Sequence, residues 1–317
     1  MSWRLRVVIS LAIAIVLPVW IVAQAEDTYA EEYDLYEKAQ GEANLTQRAA
    51  LLIEFVQKYK QSQLDPNVAY LYSQYLDGMR QKGQWSQVAA ASEKYLTYRP
   101  ADKAAAAAAT EAYQQLGQPG KLVEFGTKVY NQAPNAASAY LVAKAYKSMG
   151  DTANFEKWAQ RTLRHAPNNA EMLVELVNSA WALQDLEKAS AYAKKALASM
   201  EKSEDPQLNQ AKAFAYRALG ENAYILGDFR TAQTNFGKSA QLDPMVDFAH
   251  LRLGYCYWRA NKTDQAILSF ARAVALQGSS SKEARRELYN LLRQRQGSTA
   301  NATKIIQAAK QELGIAN

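Results

Sequence analysis

From Tyr29 onward, apolar residues recur at spacings of three and four, the pattern of helices that each bury one face. Tyr29, Tyr33, Leu35, Tyr36 and Ala39 fit one such face, and Ala49, Ala50, Leu52, Ile53, Val56 and Tyr59 a second. Gly41 to Thr46 reads as the loop between them, and Gln61 to Pro66 as the connection onward. Further along, the pattern itself repeats. Gly220 and Gly254, Ala232 and Ala266, and Phe236 and Phe270 each lie 34 residues apart. A fixed period of this length predicts stacked helical hairpins, none of which can bury its apolar face alone.

The register extends back over four earlier units. Residues 69–102 carry Tyr72, Tyr75, Gly83-Gln84-Trp85, Tyr95 and Pro100, and residues 103–135 carry Tyr113, Leu116-Gly117 and Pro134. Residues 136–169 have Tyr146, Gly150-Asp151 and Pro167, and 170–203 have Leu176, Asp185, Ala189, Ala196 and Leu197. In each, Gly, Gln or Asp marks the turn between helices, and Pro ends the second helix in the first three. These small, aromatic and proline positions resemble the tetratricopeptide repeat (TPR) family. That resemblance implies an all-α superhelical solenoid of antiparallel helix pairs with helical caps, about six repeats over 69–280. In repeat 136–169 the position usually small holds Phe155 and the one usually aromatic holds Ala159, an exchange that conserves core volume. Repeat 103–135 departs further, with Leu122 and Gly126 at those places and Pro119 opening its second helix.

Residues 26–68 read as a degenerate N-terminal hairpin and 281–317 as C-terminal capping helices. Between 203 and 213 the period breaks. Asp205-Pro206 reads as an N-cap with Pro at the first helical position, so the next helix is expected to begin about two turns early. Ser280-Ser281-Lys282-Glu283 reads as a capping box opening the first terminal helix. At the other end, Arg4 and Arg6 precede an apolar run of 16 residues, Val7 to Val22, and then Ala23-Gln24-Ala25. The run is short of the roughly 20 residues a spanning helix needs. Residues 1–25 therefore read as a secretory signal peptide cut after Ala25, with an uncleaved inner-membrane anchor as the alternative. The expected location is the periplasm or cell surface.

Composition changes this picture little. The net charge of +6 could suggest nucleic acid, but the basic residues are scattered among acids and the export signal argues against it, so no nucleic-acid partner is expected. Seven acids crowd residues 26–45 against Lys38 alone. The single Cys256 rules out an internal disulfide and any CxxC motif, and reads as a packing residue. His165 and His250 fall in different repeats outside any HxxxH or HExxH pattern, so neither a metal nor a cofactor is expected. No nucleophile, base and orienting group assemble, and the chain reads as non-enzymatic.

The TPR resemblance implies that the first helix of each hairpin lines a concave groove. Carried over position by position, the candidate partner-binding residues are Tyr140, Lys144, Asn178, Trp181, Phe214, Arg217, Tyr224, Phe248, Tyr255, Trp258 and Arg259. The family's carboxylate clamp needs Lys and Asn where Ser73, Asp77, Ala107 and Glu111 stand, so that mode is not expected. Aromatic and Arg residues are the usual anchors of protein interfaces. The expected role is a protein–protein interaction scaffold of the cell envelope, holding a peptide segment or helix of another protein. Two alternatives stay open: a module that binds glycan or peptidoglycan through the aromatic groove, since ring faces and polar tips also suit sugars, and a membrane-anchored accessory subunit.

Overall fold

The computed structural model describes residues 29–203 and 205–315; the signal-peptide reading of residues 1–25 lies outside them. Among the described residues there is no strand, and no helix is long and apolar enough to cross a membrane. The chain divides into two compact units, Met1–His165 and Ala166–Asn317.

The first unit is a run of helical hairpins. Helix α1 (29–41) and α2 (Leu45–Lys58) precede three pairs: α3 (Asp65–Gln81) with α4 (Trp85–Tyr98), α5 (Lys103–Gln115) with α6 (Pro119–Gln132), and α7 (Ala136–Ser148) with α8 (Thr152–His165). First helices of successive hairpins also touch, α3 on α5 and α5 on α7. The α5 alanines Ala105, Ala106, Ala108, Ala109 and Ala112 are all buried, which lets its neighbours approach closely. In the same core Tyr72 and Tyr95 stack, ring centroids 4.3 Å apart and 17° from parallel. Arg99 ties three helices together. It donates to Asp65 (2.7 Å) at the start of α3 and to the carbonyls of Tyr59 (2.6 Å) and Val56 (3.2 Å) at the end of α2.

The second unit contains α9 (Ala170–Ala182), α10 (Leu186–Met200), α11 (Asn209–Ile225), α12 (Phe229–Leu242), α13 (Asp247–Arg259), α14 (Thr263–Ala275), α15 (Ser281–Gln296) and α16 (Ala302–Glu312). Here the co-periodicity of Gly and Phe has a direct cause. A Cβ on Gly220 would lie 2.9 Å from the Phe236 ring, and one on Gly254 would lie 2.5 Å from Phe270. Each ring therefore seats over the glycine of its own hairpin. In the first unit Gly126 has the opposite relation: its missing Cβ leaves room for Val142 of α7, whose Cγ2 would be 2.7 Å away. The exchanged pair, Phe155 and Ala159, is buried at both positions.

The turn inside each of the six hairpins uses one residue with left-handed backbone, at the same repeat position every time. Gly fills it at 83, 117, 150 and 227, while Gln184 (φ 59°) and Asn261 (φ 57°) fill it in the other two. Asn tolerates this conformation; a longer side chain carries about 1 kcal/mol of strain there. Gln184→Gly is therefore expected to stabilise the protein by about 0.5–1 kcal/mol, read as a higher urea midpoint. A lower midpoint would show that the Gln184 side chain contributes more than its backbone costs.

Two sequence expectations about helix starts are corrected. Asp205 does act as a cap, its carboxylate accepting from Gln207 N (2.9 Å). What it caps is a 3₁₀ turn, Pro206–Leu208, and α11 begins only at Asn209. The tighter i to i+3 bonding takes up the residues that a two-turn extension would have used. Ser280 makes no side-chain cap bond to α15 because its own backbone is already helical (φ −84°, ψ −7°). Its N–H instead donates to Asp247 Oδ2 (2.6 Å), and Glu283 accepts from Tyr255 Oη (2.6 Å).

Candidate functional site

The second unit turns a distinct face outward along α9, α11 and α13. The buried side of α11 is Ala213, Ala215, Ala218, Gly220 and Ala223, with Glu221 the one charged exception. Such small residues let helices close up, which leaves the large rings for the other side. Asn169 caps α9 by accepting from Met172 N (2.9 Å), whereas α13 follows Val246 without a side-chain cap and its first residue, Asp247, accepts from Phe248 N (2.9 Å).

On that face Trp181 of α9 meets Phe214 of α11 edge-on, centroids 5.9 Å apart, and Phe248 of α13 at 5.8 Å. Arg217 lies over the Phe214 ring (4.7 Å) and the Trp181 ring (5.8 Å). Further along, Arg252 sits over Tyr224 (4.9 Å) and Phe248 (5.0 Å) and grips buried Glu221 with both ends of its guanidinium, Nε to Oε2 at 2.7 Å. Tyr224 approaches Tyr255 (6.5 Å), which packs on Phe270 (5.3 Å) and reaches Glu283 of α15. Burial, reinforced by the Glu283 carboxylate, raises the Tyr255 hydroxyl above its ordinary range, so it stays a donor.

Of the candidate residues, Trp181, Phe214, Arg217, Tyr224, Phe248 and Tyr255 thus form one interlocked, partly buried patch, in which Tyr224, Phe248 and Tyr255 also pack on the core. Arg259 packs instead on Phe229 of α12 (4.8 Å), which also contacts Tyr224 (5.3 Å). Asn178 is exposed. Trp258 is 43% exposed and borders a cleft of about 700 Å³ shared with Asn261, Lys262, Gln265, Leu291 and Gln294. Tyr140 and Lys144 belong to the first unit, where the ammonium lies 5.8 Å from the ring. Sequence reasoning overlooked Arg252, which falls one residue beside the groove positions that the family resemblance supplies. Its signal was the spacing to Glu221, 31 residues, one helical turn short of the repeat. The same interval joins Arg80 to Glu111 in the first unit.

Beside the rings and charges of this face lie Cys256 and His250, both buried. Burial pushes the Cys256 thiol up to about 12, far from a reactive thiolate. His250 is 4% exposed, with Nε2 donating to the Pro244 carbonyl (2.9 Å) and Nδ1 unpartnered. Burial holds its pKa below 6.5, aided by Arg272 and opposed by the Pro244 carbonyl, Glu312 and Asp247. The fold therefore keeps His250 neutral while the unfolded chain protonates below about pH 6.5. Stability should be fully present above that pH and fall below it, by up to about 1.4 kcal/mol per pH unit. Urea titrations from pH 7 to 5 check this; a His250→Gln variant should show a shallower slope, and an unchanged slope would overturn it.

The tetratricopeptide repeat family model matches residues 249–279, within the α13–α14 hairpin and its flanks. No curated protein matches the chain. Among solved structures the chain is similar to the C-terminal part of a TPR repeat-containing protein from Cytophaga hutchinsonii, at 14% identity and TM-score 0.51, over 75% of this chain and 95% of that one. It is also similar to YrrB, described as a TPR protein with an unusual peptide-binding site, at 16% identity and TM-score 0.50, over 62% of this chain and 99% of that one. PilF of Pseudomonas aeruginosa aligns at 12% identity and TM-score 0.42, over 72% and 99% of the two chains. At these identities the likeness shows the fold alone. Paired helices in a common register and one left-handed turn residue per hairpin give the chain the fold of tetratricopeptide-repeat proteins, with a matched repeat at residues 249–279.

Proposed function

We propose that the outward face of α9, α11 and α13 docks a segment of a partner protein, and that the chain serves as a non-catalytic scaffold. The observation that carries this reading is the patch itself. Five partly buried rings and two arginines lie together on first helices; Tyr224, Phe248 and Tyr255 also pack on the core, and the ring and guanidinium surface left open is the kind that anchors a partner. Leu183, Ile225 and Leu226, exposed by 63%, 64% and 76% at the turns ending α9 and α11, extend its apolar character. The peptide-binding site that YrrB is described as having makes peptide recognition a known use of the fold. The pattern of residues 1–25 supports export, so the partner is an envelope protein.

The test retrieves partners from envelope extract with wild-type protein beside Trp181→Ala. Trp181 touches two rings and one guanidinium, so truncation should weaken a specific partner by about thirtyfold, the scale of an interface anchor. Helicity should stay near wild type, because Trp181 is only half-buried. Equal retention by both proteins would move docking away from this face. Absence of any partner, with soluble oligosaccharide binding lost in Trp258→Ala, would replace the reading by the glycan one.

A further inference from the structure

Two arginines on this face share a setting and differ in one respect. Arg252 lies over two rings, Tyr224 and Phe248, and its guanidinium is met by the Glu221 carboxylate. Arg217 lies over two rings, Phe214 and Trp181, and has no carboxylate within ion-pair distance among the described residues. Its Nε is buried without an acceptor. The two acids that act on it electrostatically, Asp243 and Asp247, bond to backbone N–H groups. Asp243 accepts from Met245 N (3.2 Å), and the two oxygens of Asp247 accept from Phe248 N (2.9 Å) and Ser280 N (2.6 Å). Burial accordingly disfavours the charged form of Arg217, with those two acids compensating only in part.

We propose that Arg217 receives the side-chain carboxylate of an aspartate or glutamate in the docking segment. The inference rests on the docking reading above and names the chemistry that segment must carry. Arg252 shows what completes a guanidinium between rings in this fold: a carboxylate taken by the planar fork. Ring walls exclude water, which strengthens the charge-assisted bonds such a group makes. One unmet fork, beside an Arg252 whose charge Glu221 already meets, suits a single acidic side chain flanked by apolar residues.

The probe is the blocked tripeptide acetyl-Leu-Asp-Leu-amide, titrated into the 317-residue chain while the Arg217 Nε–Hε resonance is followed by NMR. A saturating shift is expected, with about tenfold weaker binding for acetyl-Leu-Asn-Leu-amide and for the Arg217→Gln protein. Arg217→Lys, which keeps the charge without the fork, should fall between, and circular dichroism shows whether each variant is folded. If Asp and Asn peptides perturb the Trp181 and Phe248 resonances equally, the face docks peptide and the carboxylate inference is overturned. If only acetyl-Leu-Asn-Leu with a free C-terminus shifts Arg217, the side-chain source is overturned. If no peptide perturbs the face, both the inference and the docking reading fail.

Discussion

Phe270→Ala is expected to lower the unfolding free energy of the 166–317 unit by about 3–5 kcal/mol, the range for truncating a fully buried aromatic ring. Phe270 has no exposed surface and fills the space that Gly254 leaves open. Removing the ring creates a cavity between α13 and α14, next to Ala266, Ala273 and the α15 leucines Leu288 and Leu292 of the same core. The converse change, Gly254→Val, drives a branched side chain into the ring and should cost about 1–3 kcal/mol or more. Combining them tests the interlock directly. The valine now has room, so the double variant should be more stable than the sum of the two losses predicts. Urea denaturation followed by circular dichroism measures all three. Additive losses would show that ring and glycine do not share one space.

Glu221→Ala is expected to cost about 3–5 kcal/mol, the scale for breaking a buried ion pair from one side. Glu221 is 5% exposed and its two oxygens are both taken by Arg252, which is itself held between two rings. The alanine leaves that guanidinium partly buried with no carboxylate. Glu221→Gln keeps one acceptor and should cost less. Replacing both partners, Glu221→Leu with Arg252→Met, removes the uncompensated charge and should recover most of the loss. A single Glu221→Ala variant as stable as wild type would mean that solvent reaches the pair far more freely than its burial implies.

The fold was legible because its determinants recur. A 34-residue interval carries Gly220 to Gly254 and Phe236 to Phe270, and each Gly–Phe couple is one contact repeated. The turn residue was legible for the same reason, since one backbone conformation is needed at one repeat position. What stayed hidden is what occurs once. Asp205-Pro206 suits the start of an α-helix or of a 3₁₀ turn equally, and the choice depends on how the chain reaches Asn209. Ser280 and Glu283 have the spacing of a capping box, but Asp247 and Tyr255 of α13 engage both, a tertiary contact that no local pattern contains. At the candidate site, the groove positions carried over from the family resemblance include the rings and Arg217 that lie together on α9, α11 and α13. They passed over Arg252 because facing first helices are offset by a turn, which makes 31 rather than 34 the interval that brings charges together.

That offset register also governs how the chain reaches its native state. Within each unit the contacts join helices one or two places apart in the sequence, so no long loop has to close before a contact forms. A hairpin such as α13–α14, with its ring already over its glycine, can nucleate and recruit the helix on either side. Rapid, locally initiated folding follows, and amide exchange should proceed hairpin by hairpin rather than in a single concerted opening.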